Sequence, residues 1–305
     1  SGDPIGDNFD IDYVAHEMGH QYGGNHTQYN SCNRNNATAV EPGSASTIMG
    51  YAGICDPDVQ AHSDAYFHGV NLSEMGAFVA GSGGNCDVLV PNGNNAPALS
   101  NLTNYTVPKS TPYVLTASAT DANGDALTYC WEQMNAYSNP AQPMPPMATN
   151  TSGPMFRSFN PEPSPVRYFP RFSDVLTNTD FDWEELSSVA RTMSMRVTVR
   201  DNHGGGGYTT EKTMTLTVSG GTGPFLVTQP NTAVDYPMNS SQTITWNVAG
   251  TAGAPINCAN VSILLSTDGG NTFPTTLLAS TPNDGSQAVT IPNTPSTQAR
   301  IKVQP

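Results

Sequence analysis

The sequence predicts a multidomain chain in which a short α-rich unit is followed by two all-β sandwiches. Three observations carry this reading. Five of the six histidines and the two clearest helix-period patterns fall within the first 88 residues. Beyond a polar stretch at 91–97 (PNGNNAP), the chain turns to short segments rich in β-branched residues and bounded by turn residues. The chain has 305 residues, too many for one ordinary domain and a fit for two or three.

The elements follow in order. Asp10 or Asp12 is placed to cap a first helix carrying Val14, Ala15 and Met18, with Gly23 and Gly24 as its stop. Val70, Leu72, Met75, Phe78 and Val79 mark a second helix, ended by Gly81 to Gly84. These two define a unit over residues 1–88. YVLTASATD, ALTYCWEQ, SMRVTVRD and KTMTLTVSG read as strands of a sandwich over 97–219. Its pattern is interrupted between about 135 and 188 by a Pro- and aromatic-rich stretch, too long for a plain loop and so expected to be a structured insertion. GGTG at 220–223 is a second linker. The third unit, 224–305, carries FLVTQ, QTITWNV, NVSILLS, TTLLAS, QAVTIP and RIKVQ, and its last strand is expected to leave the sandwich edge unfinished.

Composition narrows the function. Lys plus Arg number 11 against 25 Asp plus Glu, a net charge of −14, so the basic face that nucleic-acid binding needs is not available. No apolar run approaches the roughly 18 residues that cross a bilayer. The opening SGDPIGDNFD has neither a basic n-region nor an apolar h-region, so a leader is expected to have been removed or to lie upstream. Five cysteines, an odd number, flag a free thiol or a partner outside the chain, and no CxxC is present.

The chemistry concentrates in His16-Glu17-Met18-Gly19-His20-Gln21-Tyr22-Gly23-Gly24-Asn25-His26. His16 and His20, at i and i+4, face the same side of a helix one turn apart. Zinc takes imidazole nitrogen readily and prefers four ligands. Gly23 breaks the helix and lets the chain return His26 as a third ligand, which leaves one position for water, the mark of a catalytic site. Glu17 suits a general base acting on that water. Downstream, Ser46-Thr47-Ile48-Met49-Gly50-Tyr51 brings a methionine and a tyrosine two residues apart. Taken alone, Met49 reads as a core methionine.

Together these segments resemble the metzincin zinc peptidases, whose HExxHxxGxxH and methionine turn are both complete here. The resemblance implies that the first unit is the C-terminal part of a metzincin catalytic domain, with Met49 as a hydrophobic floor beneath the zinc histidines and Tyr51 reaching the metal or stabilising the tetrahedral intermediate. Within that clan the chain looks most like the reprolysin-like peptidases of bacterial, Bacteroidetes-type multidomain secreted proteins. Thr27 stands where reprolysins usually carry Asp, a departure that points to a pappalysin-like alternative. The resemblance also implies a larger N-terminal subdomain holding the substrate strand; fifteen residues precede His16, so most of it is expected upstream in the same precursor. By the same analogy Cys32 pairs with Cys55, and Cys86 pairs with an upstream residue; Cys55–Cys86 with Cys32 free is the alternative. Cys130 and Cys258 lie in strand patterns and read as buried thiols.

In the β units, Asp121-Ala122-Asn123-Gly124-Asp125 resembles the Asp-rich loop of cadherin-like and PKD-like immunoglobulin-like sandwiches, with Asp201 on the partner loop. Two readings stand: oxygen ligands for Ca²⁺ or an Asx-rich turn. Ser266-Thr267-Asp268-Gly269-Gly270-Asn271-Thr272-Phe273 matches an Asp-box and reads as a structural hairpin turn. His68, at the start of the second helix, reads as an exposed or capping histidine, and Trp131, Trp183 and Trp246 as core. The expected function is a secreted or cell-surface zinc endopeptidase acting on protein or peptide substrates, weak or inactive without its upstream subdomain. The competing class is a cell-surface adhesin or structural β-sandwich protein that carries an inactive remnant of such a centre.

Overall fold

A computed structural model describes residues 5–85, 90–179 and 183–305. A short helical part is followed by two β-sandwiches. Among the described residues no helix is long and apolar enough to cross a membrane.

The first rod is continuous through Asp7–Phe9, a π-helical stretch at Asp10–Ala15, and His16–Gln21. Neither aspartate caps it, contrary to expectation. Gly6 precedes the first turn, while Asp12 lies inside the rod and accepts the Ser63 amide at 2.8 Å and the His62 ring at 2.7 Å. Its carboxylate is therefore used to tie the rod to the loop at 62–63. Gly23, at φ 86°, takes the left-handed conformation that ends the helix. Residues between this rod and the next helix form turns and loops, cross-linked by a Cys32–Cys55 disulfide. Cys86 lies outside the described residues.

The second helix, Gly69–Ala80, reverses the predicted burial. Gly69 and Asn71 are buried, whereas Phe78 and Val79 are exposed. The reason is what the helix meets: its N-terminal end docks on polar groups of the first sandwich and of the loop at 25. His68 is neither exposed nor idle. It is buried, and its Nδ1 accepts the Val70 amide as a side-chain cap. That leaves the proton on Nε2, which faces Glu132 Oε1 at 3.5 Å.

The first sandwich is built on a four-stranded sheet ordered Tyr105–Pro108, Thr209–Ser219, Arg191–Arg200, Thr128–Gln133. Alternation along the central strand turns Met193, Met195, Val197 and Val199 inward, where they meet Met214, Leu216 and Trp131. Each such side chain contributes about 1.5–3 kcal/mol by leaving water. The stretch at 135–188 is part of this sandwich and not an appendage. Its strand Val166–Phe169 pairs with Tyr113–Thr116, and Met155, Phe156 and Phe169 lie in the shared core. Pro165 and Pro170 flank that strand and hide it from pattern reading. Arg191 fixes the insertion by donating to the carbonyls of Asn150 and Gly153, and burial pulls its pKa down to about 10.

The second sandwich packs two antiparallel three-stranded sheets, Ser286–Thr290/Ser241–Asn247/Leu226–Gln229 and Thr275–Pro282/Asn260–Ser266/Arg300–Gln304. Ile244, Trp246, Val261, Ile263 and Val289 form its core. Cys258 lies in the loop before a strand and is half-buried, unlike the fully buried Cys130. The linker is pinned at both ends: Lys109 donates to Thr222 O and Gly223 donates to Ala249 O. At Gly223, φ 95°, a Cβ would fall 2.4 Å from Lys109 O, so only glycine fits. The Asp-box closes as a turn. Asp268 accepts the hydroxyls of Ser266 and Thr272 and the Thr272 amide, and these bonds hold its carboxyl well below the usual range.

The helical part is seated on the first sandwich through a buried polar seam. Glu132, 1% exposed, accepts the Gly69 amide at 2.8 Å on Oε2 and the Ser158 hydroxyl at 2.8 Å on Oε1. Tyr66 donates to Ser158 Oγ, and Arg200 donates to Phe67 O. A carboxylate at a helix N-terminus is favoured by the helix dipole and by the unpaired amides there. Glu132→Ala should therefore leave the Gly69 amide and His68 Nε2–H buried without an acceptor. Urea denaturation is expected to show a loss of about 1–3 kcal/mol.

Candidate metal centre

The His16–Gln21 turn places its two histidines on one face, and the left-handed Gly23 returns His26 toward them. The outcome is a cluster of three Nε2 atoms. His26 Nε2 lies 3.0 Å from His20 Nε2 and 3.3 Å from His16 Nε2. On each ring the other nitrogen is committed. His16 Nδ1 meets Ile48 O at 2.7 Å, His20 Nδ1 meets Gly24 O at 2.9 Å and His26 Nδ1 meets Asn33 O at 2.7 Å. A carbonyl only accepts, so every Nδ1 carries the proton and every Nε2 presents a lone pair. Three lone pairs converging at this distance form a group that could hold a metal ion. A tetrahedral zinc with Zn–N of about 2.0–2.1 Å holds its nitrogens about 3.3 Å apart, so the trio fits the ion. Burial lowers the pKa of His16 and of His26, which keeps both neutral and ready to ligate.

Glu17 is exposed on the same turn and close enough to His16 and His26 to act on both electrostatically. The Tyr51 ring lies 4.6 Å from the His26 ring and 5.8 Å from that of His16, with its hydroxyl accepting from Asn33 Nδ2. Met49 is fully buried beneath the turn: a Cβ on Gly19 would fall 2.4 Å from Met49 Sδ. Gly19, unremarked in the sequence, is thus the contact that lets the methionine approach the helix.

Other supporting residues also escaped sequence reading. Glu41, 1% exposed, accepts the Ser46 amide and the Thr47 hydroxyl and so holds the turn that carries Met49. Thr27 donates its amide to Met49 O, while its buried hydroxyl finds no partner among the described residues. Asn25, just before the third ligand, is clamped by the second helix. Glu74 accepts both its backbone amide, at 2.9 Å, and its side-chain amide, at 2.7 Å, while Asn71 donates to its carbonyl at 2.8 Å. The spacing of Asn71 and Glu74, one helical turn apart, is the signal in the sequence that could have drawn attention to them.

The proposed calcium residues are placed differently. Asp121 Oδ1 accepts the amides of Asn123 and Asp125; Asp125 pairs with His203 at 2.8 Å; Asp201 accepts from Asn94 Nδ2 and from the His203 and Tyr208 amides. Asn123 Oδ1 accepts from Asn95. Among the described residues, the group of His, Cys, Asp or Glu side chains whose ligand atoms converge is the histidine trio, and Asp121, Asp125 and Asp201 form no such group. Hydrogen bonds of an Asx-rich turn, together with Asn94 and Asn95 of the linker, engage Asp121 Oδ1, Asn123 Oδ1, Asp125 Oδ2 and both Asp201 oxygens, while Asp121 Oδ2 is buried without a hydrogen-bond partner among the described residues.

Residues 1–76 match the family described as metallo-peptidase family M12B, reprolysin-like, which makes this part of the chain a metallopeptidase-like region. No curated protein matches the chain. Among solved structures, a chimeric titin Z1Z2 functionalized with an exogenous decorin peptide aligns at 10% identity and TM-score 0.21, over 70% of this chain and 91% of that one. The N-terminal four Ig domains of Dscam1 isoform 8.4 align at 14% identity and TM-score 0.20, over 70% of this chain; the alignment spans 46% of that structure.

Glu74→Ala should release Asn25 and with it the backbone that aims His26. Zinc affinity, measured by competition with a chromophoric chelator, is expected to fall about 10–100-fold, with the circular dichroism spectrum unchanged.

Proposed function

We propose that the chain carries the zinc centre of a secreted or cell-surface endopeptidase of the reprolysin-like metzincin type, with a pappalysin-like kinship as the alternative subfamily. The observation that carries this is the convergence of three Nε2 lone pairs, each fixed by an Nδ1–H bond to a main-chain carbonyl. When bound there, zinc polarises the scissile carbonyl and acidifies the attacking water. His16, His20 and His26 hold the ion through neutral imidazoles. Glu17 accepts the proton from the attacking water and delivers it to the leaving amine. Tyr51, oriented by Asn33, donates its hydroxyl to the developing oxyanion.

The partners proposed are a protein or peptide substrate and the upstream catalytic subdomain of the same precursor. Support for the second is an apolar face on the helical part: Tyr13, Val14, Met18 and Tyr22 on the zinc rod, and Phe78 and Val79 on the second helix, are all exposed. The Cys32–Cys55 disulfide supports an oxidising, extracytoplasmic setting. Calcium is not assigned a role.

The second reading, an adhesin with an inactive remnant, draws on the two sandwiches, which make up most of the chain. Metal analysis and turnover separate the two. The purified chain should hold one zinc, lost in His20→Ala. Glu17→Ala should retain the zinc and abolish casein hydrolysis by the full-length precursor, a loss of about 10²-fold or more. A folded sample that takes up no zinc would instead establish the remnant.

A further inference from the structure

Beside the histidine trio lies an open cleft of about 520 Å³, with His20, Asn25 and His26 on one side and the segment 33–36 on the other. Its cationic group is Arg34. The guanidinium carbon lies 3.7 Å from the centre of the Tyr137 ring, so the group rests on an aromatic face contributed by the first sandwich. Nη1 donates to Tyr29 O at 2.7 Å, and Nε donates to Asn36 Oδ1 at 2.8 Å. Both partners are neutral. Arg157, Arg167, Arg171 and Arg196 each meet a carboxylate, but none among the described residues pairs with Arg34. Arg191 and Arg200 likewise donate to carbonyls, but Arg34 is the arginine that lines this cleft. It is also rigidly tied to the metal centre, because the neighbouring Asn33 carbonyl receives His26 Nδ1–H. The rest of the lining is asparagine, whose amides suit the peptide groups of a bound chain.

A stacked guanidinium with an unspent edge is a site for a carboxylate, because it offers charge-assisted hydrogen bonds in a fixed plane. We infer that Arg34 is a specificity-determining residue that selects peptides bearing a carboxylate next to the scissile bond. This rests on the peptidase reading above. The carboxylate can come from an Asp or Glu side chain or from the end of the peptide, and the two sources are separable.

The test uses the zinc-loaded full-length precursor and quenched fluorogenic peptides in matched pairs, with Glu or Gln at each position flanking the cleaved bond and with an acid or an amide C-terminus. The same peptides are titrated by anisotropy into the Glu17→Ala protein, which reads binding without cleavage. One Glu position, or the free C-terminus, should bind and be cut about tenfold to a hundredfold better than its neutral partner, and which pair responds identifies the source. Arg34→Gln should erase that preference while leaving the neutral peptides unchanged, and Arg34→Lys should retain part of it. Should Arg34→Gln disturb the loop, the wild type still decides: raising salt from about 0.05 to about 0.5 M should shrink the advantage of the acidic peptide alone. Equal binding of every acidic and neutral pair, or a preference that survives in Arg34→Gln, would overturn the inference. Binding that depends on Arg34 without turnover of any peptide would sink the peptidase reading and leave the carboxylate site standing.

Discussion

Each imidazole of the trio gives its Nδ1 proton to a main-chain carbonyl, and the three carbonyls belong to different parts of the chain: Ile48 in the methionine turn, Gly24 at the helix stop and Asn33 beyond the third histidine. The geometry of the metal centre is therefore set by backbone, not by the ligands alone. Whatever holds those three loops also sets the direction of the Nε2 lone pairs. Glu41 acts on the first, the left-handed Gly23 on the second, and the Cys32–Cys55 bridge on the third. Glu74 and Asn71 add a fourth restraint by fixing Asn25. The metal site is small, yet it draws on residues spread from position 16 to position 74.

The same logic extends into the first sandwich. The second helix clamps the loop that leads to His26, and that helix is seated by Glu132, Ser158 and Arg196. The seam is polar and buried, so it is specific in orientation: a shift of one residue would strand a carboxylate without donors. A hydrophobic contact of the same area would tolerate sliding. The sandwich is thus part of the frame of the centre, and Tyr137 from its long insertion reaches the rim of the cleft.

Much of the candidate site was legible because its signals are local. The i, i+4 histidines, the helix-breaking Gly23 and the Met49–Tyr51 pair lie within short windows and follow backbone periodicity. The sandwich strands with clean alternation, such as the one bearing Met193 to Val199, were equally open to reading. What stayed hidden depends on distant contacts. Nothing near Glu41 or Glu132 marks them as buried, and nothing near Glu74 marks it as a clamp, since their partners lie elsewhere in the chain. The strand Val166–Phe169 is masked by its flanking prolines. Asp10 and Asp12 look like caps, but the rod begins earlier and Asp12 is drawn to residues 62 and 63. The second helix misled for a related reason: its buried face is chosen by polar partners, so apolar period was a poor guide to it.

The Cys32–Cys55 bridge closes a covalent ring of chain, and the ring's contents are telling. Inside it lie Asn33, whose carbonyl aims a ligand; Arg34, at the rim of the cleft; Glu41; and Met49 and Tyr51 beneath and beside the metal position. The supports of the histidine trio and the arginine at the rim of the cleft are thus carried by one closed loop. Within it, exposed Asn36 and Ala37 form a turn that bears none of the bonds to the histidines. Such a ring can exchange the side chains at its rim without resetting the anchors that aim the histidines.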